Sequence, residues 1–178
     1  MPRGPKNQQL QITDSQHQRV GVFVDTQNMY HSAKNLYHAK VNFKKLLEDA
    51  VGNRKLIRAF AYVIKTESGE ETAFIEALEK SGYEIKVKDL QVFAGGAKKG
   101  DWDVGMAIDA VILADKIDVA VIVSGDGDFI PLVEYLKINK GLKAEAMSFG
   151  RSTSLKLKEA VDVFHDLEAE VKKYLIYS

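Results

Sequence analysis

Val20-Gly-Val-Phe-Val-Asp-Thr-Gln-Asn28 is the stretch on which the fold turns. Its first five residues are apolar or small without a polar break, and the run stops at an acid. A half-buried strand would alternate apolar and polar residues. A run that is apolar at every position instead fits a strand covered on both faces, as in a parallel sheet. Residues 27–38 then take a helical pattern, so the chain passes from strand to helix just after Asp25.

The same grammar recurs downstream. Leu56–Ile64 and Tyr83–Val92 read as the second and third strands. Val119–Val123 is the fourth and ends in Ser124-Gly-Asp-Gly-Asp128; Leu142–Met147 is the fifth. The segments between them read as helices. One spans 43–51 with Asn42 as its N-cap, and one spans Glu70–Ser81, closed by Gly82. After a loop rich in glycine and lysine at Ala94–Gly100, Asp101 caps a helix that runs to about Lys116. Phe129–Asn139 follows, stopped near Gly141, and then Ser152–Ala160 and Leu167–Ile176. Strands alternating with helices predict a parallel α/β sheet with helices on both faces, wound in two directions by right-handed crossovers. Ligands of such sheets sit beyond the carboxyl ends of the strands, where strand order reverses.

The chain has 178 residues, enough for one domain with a small addition. Residues 1–18 are polar, hold two of the three prolines, and are expected to be a disordered tail. Residues 19–166 form the domain, and residues 167–178 a C-terminal helix that packs on it or on a partner. The 25 basic residues equal the 25 acidic ones, so attraction to a polyanion must come from a local patch. There is no cysteine, which excludes thiolate chemistry and cysteine zinc sites. With no signal-like or membrane-length apolar run, the expectation is a cytoplasmic protein without a membrane partner.

Parallel strands place their carboxyl ends on one edge, which brings Asp25 and Asp126 together. A helix starting at that edge brings Asp103 beside them. Two carboxylates ~4 Å apart repel by about 4 kcal/mol at an effective dielectric near 20, and a hard divalent cation relieves that repulsion. Oxygen ligands favour Mg²⁺ or Mn²⁺ over zinc; His17, His31, His38 and His165 have no metal-ligand spacing. Such a site can activate water and stabilise a phosphate leaving group. The competing readings are local: Asp25 as a helix cap, Asp126 and Asp128 as turn residues, Asp101 as an N-cap, Asp103 as a complement to the helix dipole. Asp109 lies six residues past Asp103, ~120° around the helix, so it serves at best as support for the ligands. Asn28 stands about one turn beyond Asp25, within reach of water or phosphate.

Three pieces together resemble the NYN domain, a branch of the PIN-like nuclease superfamily, and within it the LabA-like group. They are Phe23-Val-Asp-Thr-Gln-Asn28, Lys99-Gly-Asp-Trp-Asp-Val-Gly-Met-Ala-Ile-Asp109 and Ser124-Gly-Asp-Gly-Asp-Phe129. The resemblance implies a Rossmann-like three-layer α/β/α sandwich with a five-stranded parallel sheet and a metal-dependent ribonuclease site. It implies Asp25, Asp103, Asp126 and Asp128 as the ligands of Mg²⁺ or Mn²⁺ and as catalytic residues with Asn28. Asp109, Asp101 and Ser124 stand behind them. Trp102 departs from the valine common in relatives, and its indole either stacks on a base or packs on the sheet.

Single-stranded RNA is the expected substrate. Lys98, Lys99, Trp102, Arg151, Ser152 and Thr153 are its expected contacts, with Lys34, Lys156 and Lys158 as further cations. Ser152 and Thr153 are also expected N-caps at a phosphate-attracting helix start. So small a patch predicts weak, salt-sensitive binding, with a homo-oligomer or protein partner supplying the rest. The alternatives are a regulatory module that binds RNA or protein without useful catalysis, and a phosphatase of a small phosphoester. A dehalogenase-type phosphatase would need Asp-x-Asp after the first strand, a dinucleotide site a glycine-rich first turn, and a nucleotide triphosphatase a Walker motif; none is present.

Overall fold

A computed structural model describes residues 15–96 and 98–177. The predicted disordered tail falls largely on residues 1–14, which lie outside the described residues. Ser15 to His17 make a helical turn that leads into the first strand.

In chain order the elements are β1 (Arg19–Asp25), α1 (Thr26–Tyr37), β2 (Lys40–Val41), α2 (Phe43–Val51), β3 (Lys55–Lys65), α3 (Thr72–Lys80) and β4 (Glu84–Asp89). A small hairpin follows, β5 (Gln91–Val92) with β6 (Lys98–Lys99), then α4 (Asp103–Leu113) and β7 (Val119–Val123). The chain continues with α5 (Ile130–Ile138), β8 (Lys143–Ser148), α6 (Leu155–Ala160), β9 (Val163–Asp166) and β10 (Leu175–Ile176). The main sheet has the order β4-β3-β1-β7-β8-β9 and every pairing in it is parallel. It has six strands, one more than expected. The sixth, β9, is four residues of mixed polarity with no apolar run to mark it.

Each central strand is buried on both faces. Val20, Val22 and Val24 of β1 point into a core with Met29 and Ala33 of α1, Leu46 and Leu47 of α2, and Leu78 of α3. Phe23 points the other way, into a core with Met106 and Leu113 of α4, Val133 and Leu136 of α5, and Leu157 of α6. Three layers result. Strand order reverses between β1 and β7, so the crevice of this sheet opens where Asp25 ends one strand and Ser124 follows the other.

Three expectations change. Tyr83–Val92 is not one strand: β4 ends at Asp89, and Gln91–Val92 leaves the sheet to pair antiparallel with Lys98–Lys99. The C-terminal segment is not an α-helix. Leu167–Lys173 forms 3₁₀ turns broken at Glu170, and Leu175–Ile176 pairs antiparallel with Lys40–Val41. Leu167 and Leu175 enter the first core, and the Tyr174 hydroxyl donates to Asp49 at 2.6 Å, so the segment docks on its own domain. The helix expected from Asp101 begins at Asp103 and gives way to a 3₁₀ turn at Ala114. No helix among the described residues is long and apolar enough to cross a membrane.

Candidate metal centre

Two neighbouring strand ends and one helix start build the site. β1 delivers Asp25 to the edge of the sheet, and its carboxylate is engaged twice. One oxygen caps α1 by accepting from the Asn28 N–H at 3.2 Å, and the other accepts from the Ser124 hydroxyl at 3.1 Å. The capping reading of Asp25 is therefore correct, and it coexists with a place at the crevice. Ser124, fully buried, also accepts from the Asp126 N–H at 3.1 Å. The Asn28 side-chain oxygen accepts from the Gly125 N–H at 3.0 Å. Asn28 thus ties the β7 loop to α1, a positioning role that its place one turn beyond Asp25 did not reveal.

The loop after β7 is held from the other side as well. Gly125 accepts from the Ser154 N–H at 2.9 Å. A Cβ at Gly125 would lie 2.5 Å from the Ser152 carbonyl oxygen, so only glycine lets the two backbones approach. Asp126 accepts from the Asp128 N–H at 2.9 Å, which shapes the turn entering α5. The turn reading of Asp126 also holds.

Asp103, Asp126 and Asp128 converge: one carboxylate oxygen of each lies within 4.8 Å of the others. Asp25, expected as a fourth ligand, is not in that group. Each of its oxygens accepts one hydrogen bond, which leaves a lone pair on each for a cation. Burial pushes the Asp25 carboxyl above its ordinary value, and the charges of Asp126 and Asp101 push the same way; the bonds from Asn28 and Ser124 oppose them. Asp103 is pushed up to about 6, first by burial and then by Asp126, Asp25, Asp101 and Asp128. Five carboxyl groups therefore share one field.

The remaining expected residues divide. Asp101 accepts from the Asp103 N–H at 3.3 Å and steadies the start of α4, although the helix begins two residues later than expected. Asp109 is turned away from the cluster: it accepts from the Tyr62 hydroxyl at 2.8 Å and pairs with Lys86 at 2.8 Å. Trp102 packs on the sheet. Its Nε1–H donates to the Val63 carbonyl at 3.0 Å, its ring lies 5.4 Å from that of Tyr62, and the Lys88 ammonium sits 5.1 Å from the indole. The packing alternative therefore describes where the indole sits.

Arg151, expected to face phosphate, is bound to Glu168 at 2.8 Å and lies over the Tyr37 ring; Tyr37 donates to the same Glu168. Ser152 and Thr153 both donate to the Phe149 carbonyl, and the helix cap is Ser154, which accepts from the Leu157 N–H at 3.3 Å. Lys34 and Lys158 sit over Tyr30 and Phe164. The Lys98 and Lys99 backbones form β6, while their side chains lie outside the described structure.

The three acids on this strand order coincide with a family match: the NYN domain model covers residues 19–168. The chain belongs to the NYN domain family. NYN domains fall in a nuclease-like superfamily, and this one is similar to two further proteins. The Low amplitude and bright protein LabA of Synechococcus elongatus is 26% identical over 159 residues, 84% of this chain and 83% of that protein. A crystal structure of a protein of unknown function from Vibrio parahaemolyticus superposes with a TM-score of 0.82 at 28% identity, covering 90% of this chain and 98% of the other. The NYN match ends two residues past the boundary read from the sequence.

Proposed function

We propose that this NYN domain is a metal-dependent ribonuclease that hydrolyses phosphodiester bonds of single-stranded RNA, with Asp103, Asp126 and Asp128 holding Mg²⁺ or Mn²⁺. The observation that carries this reading is the convergence of three carboxylates, from two elements far apart in sequence, at the switch point of a parallel sheet. The donor set fits such an ion: all oxygen, with Asp103 raised to about 6 first by burial and then by its acidic neighbours, both of which a bound cation would oppose. A divalent ion there supplies Lewis acidity and neutralises charge on the scissile phosphate.

The chain's own groups do the positioning. Asp25 fixes Ser124 and the first turn of α1, Ser124 fixes the Asp126 backbone, and Asn28 fixes Gly125. The Asp126 bond to the Asp128 N–H then sets the spacing of the last two ligands. Asp25, expected as a fourth ligand, is kept in this proposal at the edge of the set, where it also braces Ser124 and the start of α1. Arg151 is spent on Glu168, so RNA affinity is weak and salt-sensitive. The test is hydrolysis of labelled single-stranded RNA with Mg²⁺ or Mn²⁺. Cleavage that disappears with EDTA and in Asp126→Asn supports the proposal. Cleavage that survives both overturns it, and RNA binding without cleavage identifies the regulatory alternative instead.

A further inference from the structure

α4 is apolar nearly all the way round. Met106, Ala110 and Leu113 bury one face against the sheet. The opposite face carries Val104, Ile108 and Ile112, spaced by four and therefore aligned. They are 72%, 53% and 71% exposed. Tyr135 and Ile138 of α5 extend the same surface, with Ile138 80% exposed. Between the two helices runs a groove of about 500 Å³ whose polar end is Asp103 and Asp128. A helix of this composition is normally covered on every side.

We propose that a second copy of this chain covers the α4–α5 face, the two α4 helices packing antiparallel across a two-fold axis near Ile108. The area fits: these five side chains leave on the order of 600 Å² in water, so two copies would remove about 1,200 Å², the lower limit of a specific interface.

Charge selects the occupant. Apart from Asp103 and Asp128 at its polar end, the groove is lined by apolar side chains, with no lysine or arginine among the described residues, which suits an apolar helix face better than a phosphate backbone. The chain carries no net charge, so two copies do not repel. The helix is also self-complementary along its length. It begins at Asp103, with Asp101 just before it, and beyond Ile112 the exposed surface continues to Lys116 in the following 3₁₀ turn. Asp115 is paired with Lys140, whereas Lys116 has no ion-pair partner among the described residues. Antiparallel packing carries Lys116 of the second copy toward the acidic N-terminal end of α4 in the first. The interface stands whether or not the acids bind metal.

The test is molar mass by sedimentation equilibrium across micromolar concentrations, on the full chain. The expected result is a dimer, with Ile108→Asp raising its dissociation constant by more than about tenfold while far-UV circular dichroism stays unchanged. Should Ile108→Asp fail to fold, the more exposed Ile112→Lys carries the same expectation. The chain has no cysteine, so a single Ile108→Cys substitution reports the axis directly. Mild oxidation is expected to cross-link Ile108→Cys but not Glu76→Cys, whose site lies on α3 against the opposite face of the sheet. A wild-type monomer throughout, or a dimer that survives both Ile108→Asp and Ile112→Lys, overturns the proposal and leaves the face to a different partner.

Discussion

Replacing Asp103 by asparagine should stabilise the metal-free protein, although it removes a charge that a helix start normally favours. Burial and four neighbouring carboxylates raise Asp103 from 3.8 to about 6. Fully expressed, that rise corresponds to about 3 kcal/mol of destabilisation at neutral pH. Asp103 is only partly buried, so solvent screening reduces the figure, and the α4 N-terminus returns about 0.3–1 kcal/mol to the charged form. A net gain of about 1 kcal/mol for Asp103→Asn remains, or about 2–4 °C in Tm for a chain of this size. The pH dependence has a definite sign. The folded state holds the Asp103 proton more tightly than the unfolded state, so the cost is complete above about pH 6 and fades as pH falls toward 3.8. Thermal unfolding in EDTA should therefore show the gain at about pH 7.5 and most of it gone at about pH 4. An Asp103→Asn protein that melts below wild type at the higher pH, or whose gain does not change with pH, would refute a cluster of mutually repelling carboxylates.

Other perturbations test the scaffold. Arg54 makes a two-pronged bridge to Glu145, which is 2% exposed, and His165 and Lys143 also face that carboxylate, so Arg54→Ala should cost about 1–3 kcal/mol in urea denaturation rather than the larger loss of a stranded charge. His165 and Arg54 overcome the effect of burial and hold the Glu145 carboxyl at about 2; the stability this contributes is complete above about pH 4.5 and is lost as pH falls toward 2, which acid titration of wild type against Glu145→Gln should reveal. Gly125→Ala should destabilise by about 1–3 kcal/mol, because its Cβ meets the Ser152 carbonyl, and should lower RNA hydrolysis through displacement of Asp126. Trp102→Phe should cost about 1 kcal/mol for the lost bond to Val63 while RNA affinity in a filter-binding assay stays within twofold; a large loss of affinity would restore the base-stacking reading.

The fold was legible wherever hydrophobic pattern alone decides structure. β1 and β7 are buried on both faces and read as unbroken apolar runs, and their acids mark the edge of the sheet. β9 was not legible, because Val-Phe-His-Asp has too few apolar residues to separate an edge strand from a loop. The end of β4 was hidden for a different reason: the apolar signal of Leu90 and Val92 continues across a point where the backbone changes partner. The C-terminal segment has helix-forming residues, but pairing with β2 and the burial of Leu167 and Leu175 override that preference.

At the site, the parallel sheet pointed to Asp25 and Asp126 at one edge, while the acids that lie together are Asp103, Asp126 and Asp128, with Asp103 expected there chiefly from the family resemblance. The bonds that Asn28 and Ser124 make to the two Asp25 oxygens were not visible, because they depend on how the loop after β7 meets the start of α1. The occupation of Arg151 depends in the same way on Glu168, seventeen residues away in a segment expected to be a helix.

Calorimetric titration of Mn²⁺ into metal-free protein bears most directly on whether the acids form a metal centre. Saturable binding that is lost in Asp126→Asn and weakened in Asp103→Asn is the predicted result. Absence of binding at millimolar Mn²⁺, or binding indifferent to both substitutions, would contradict it.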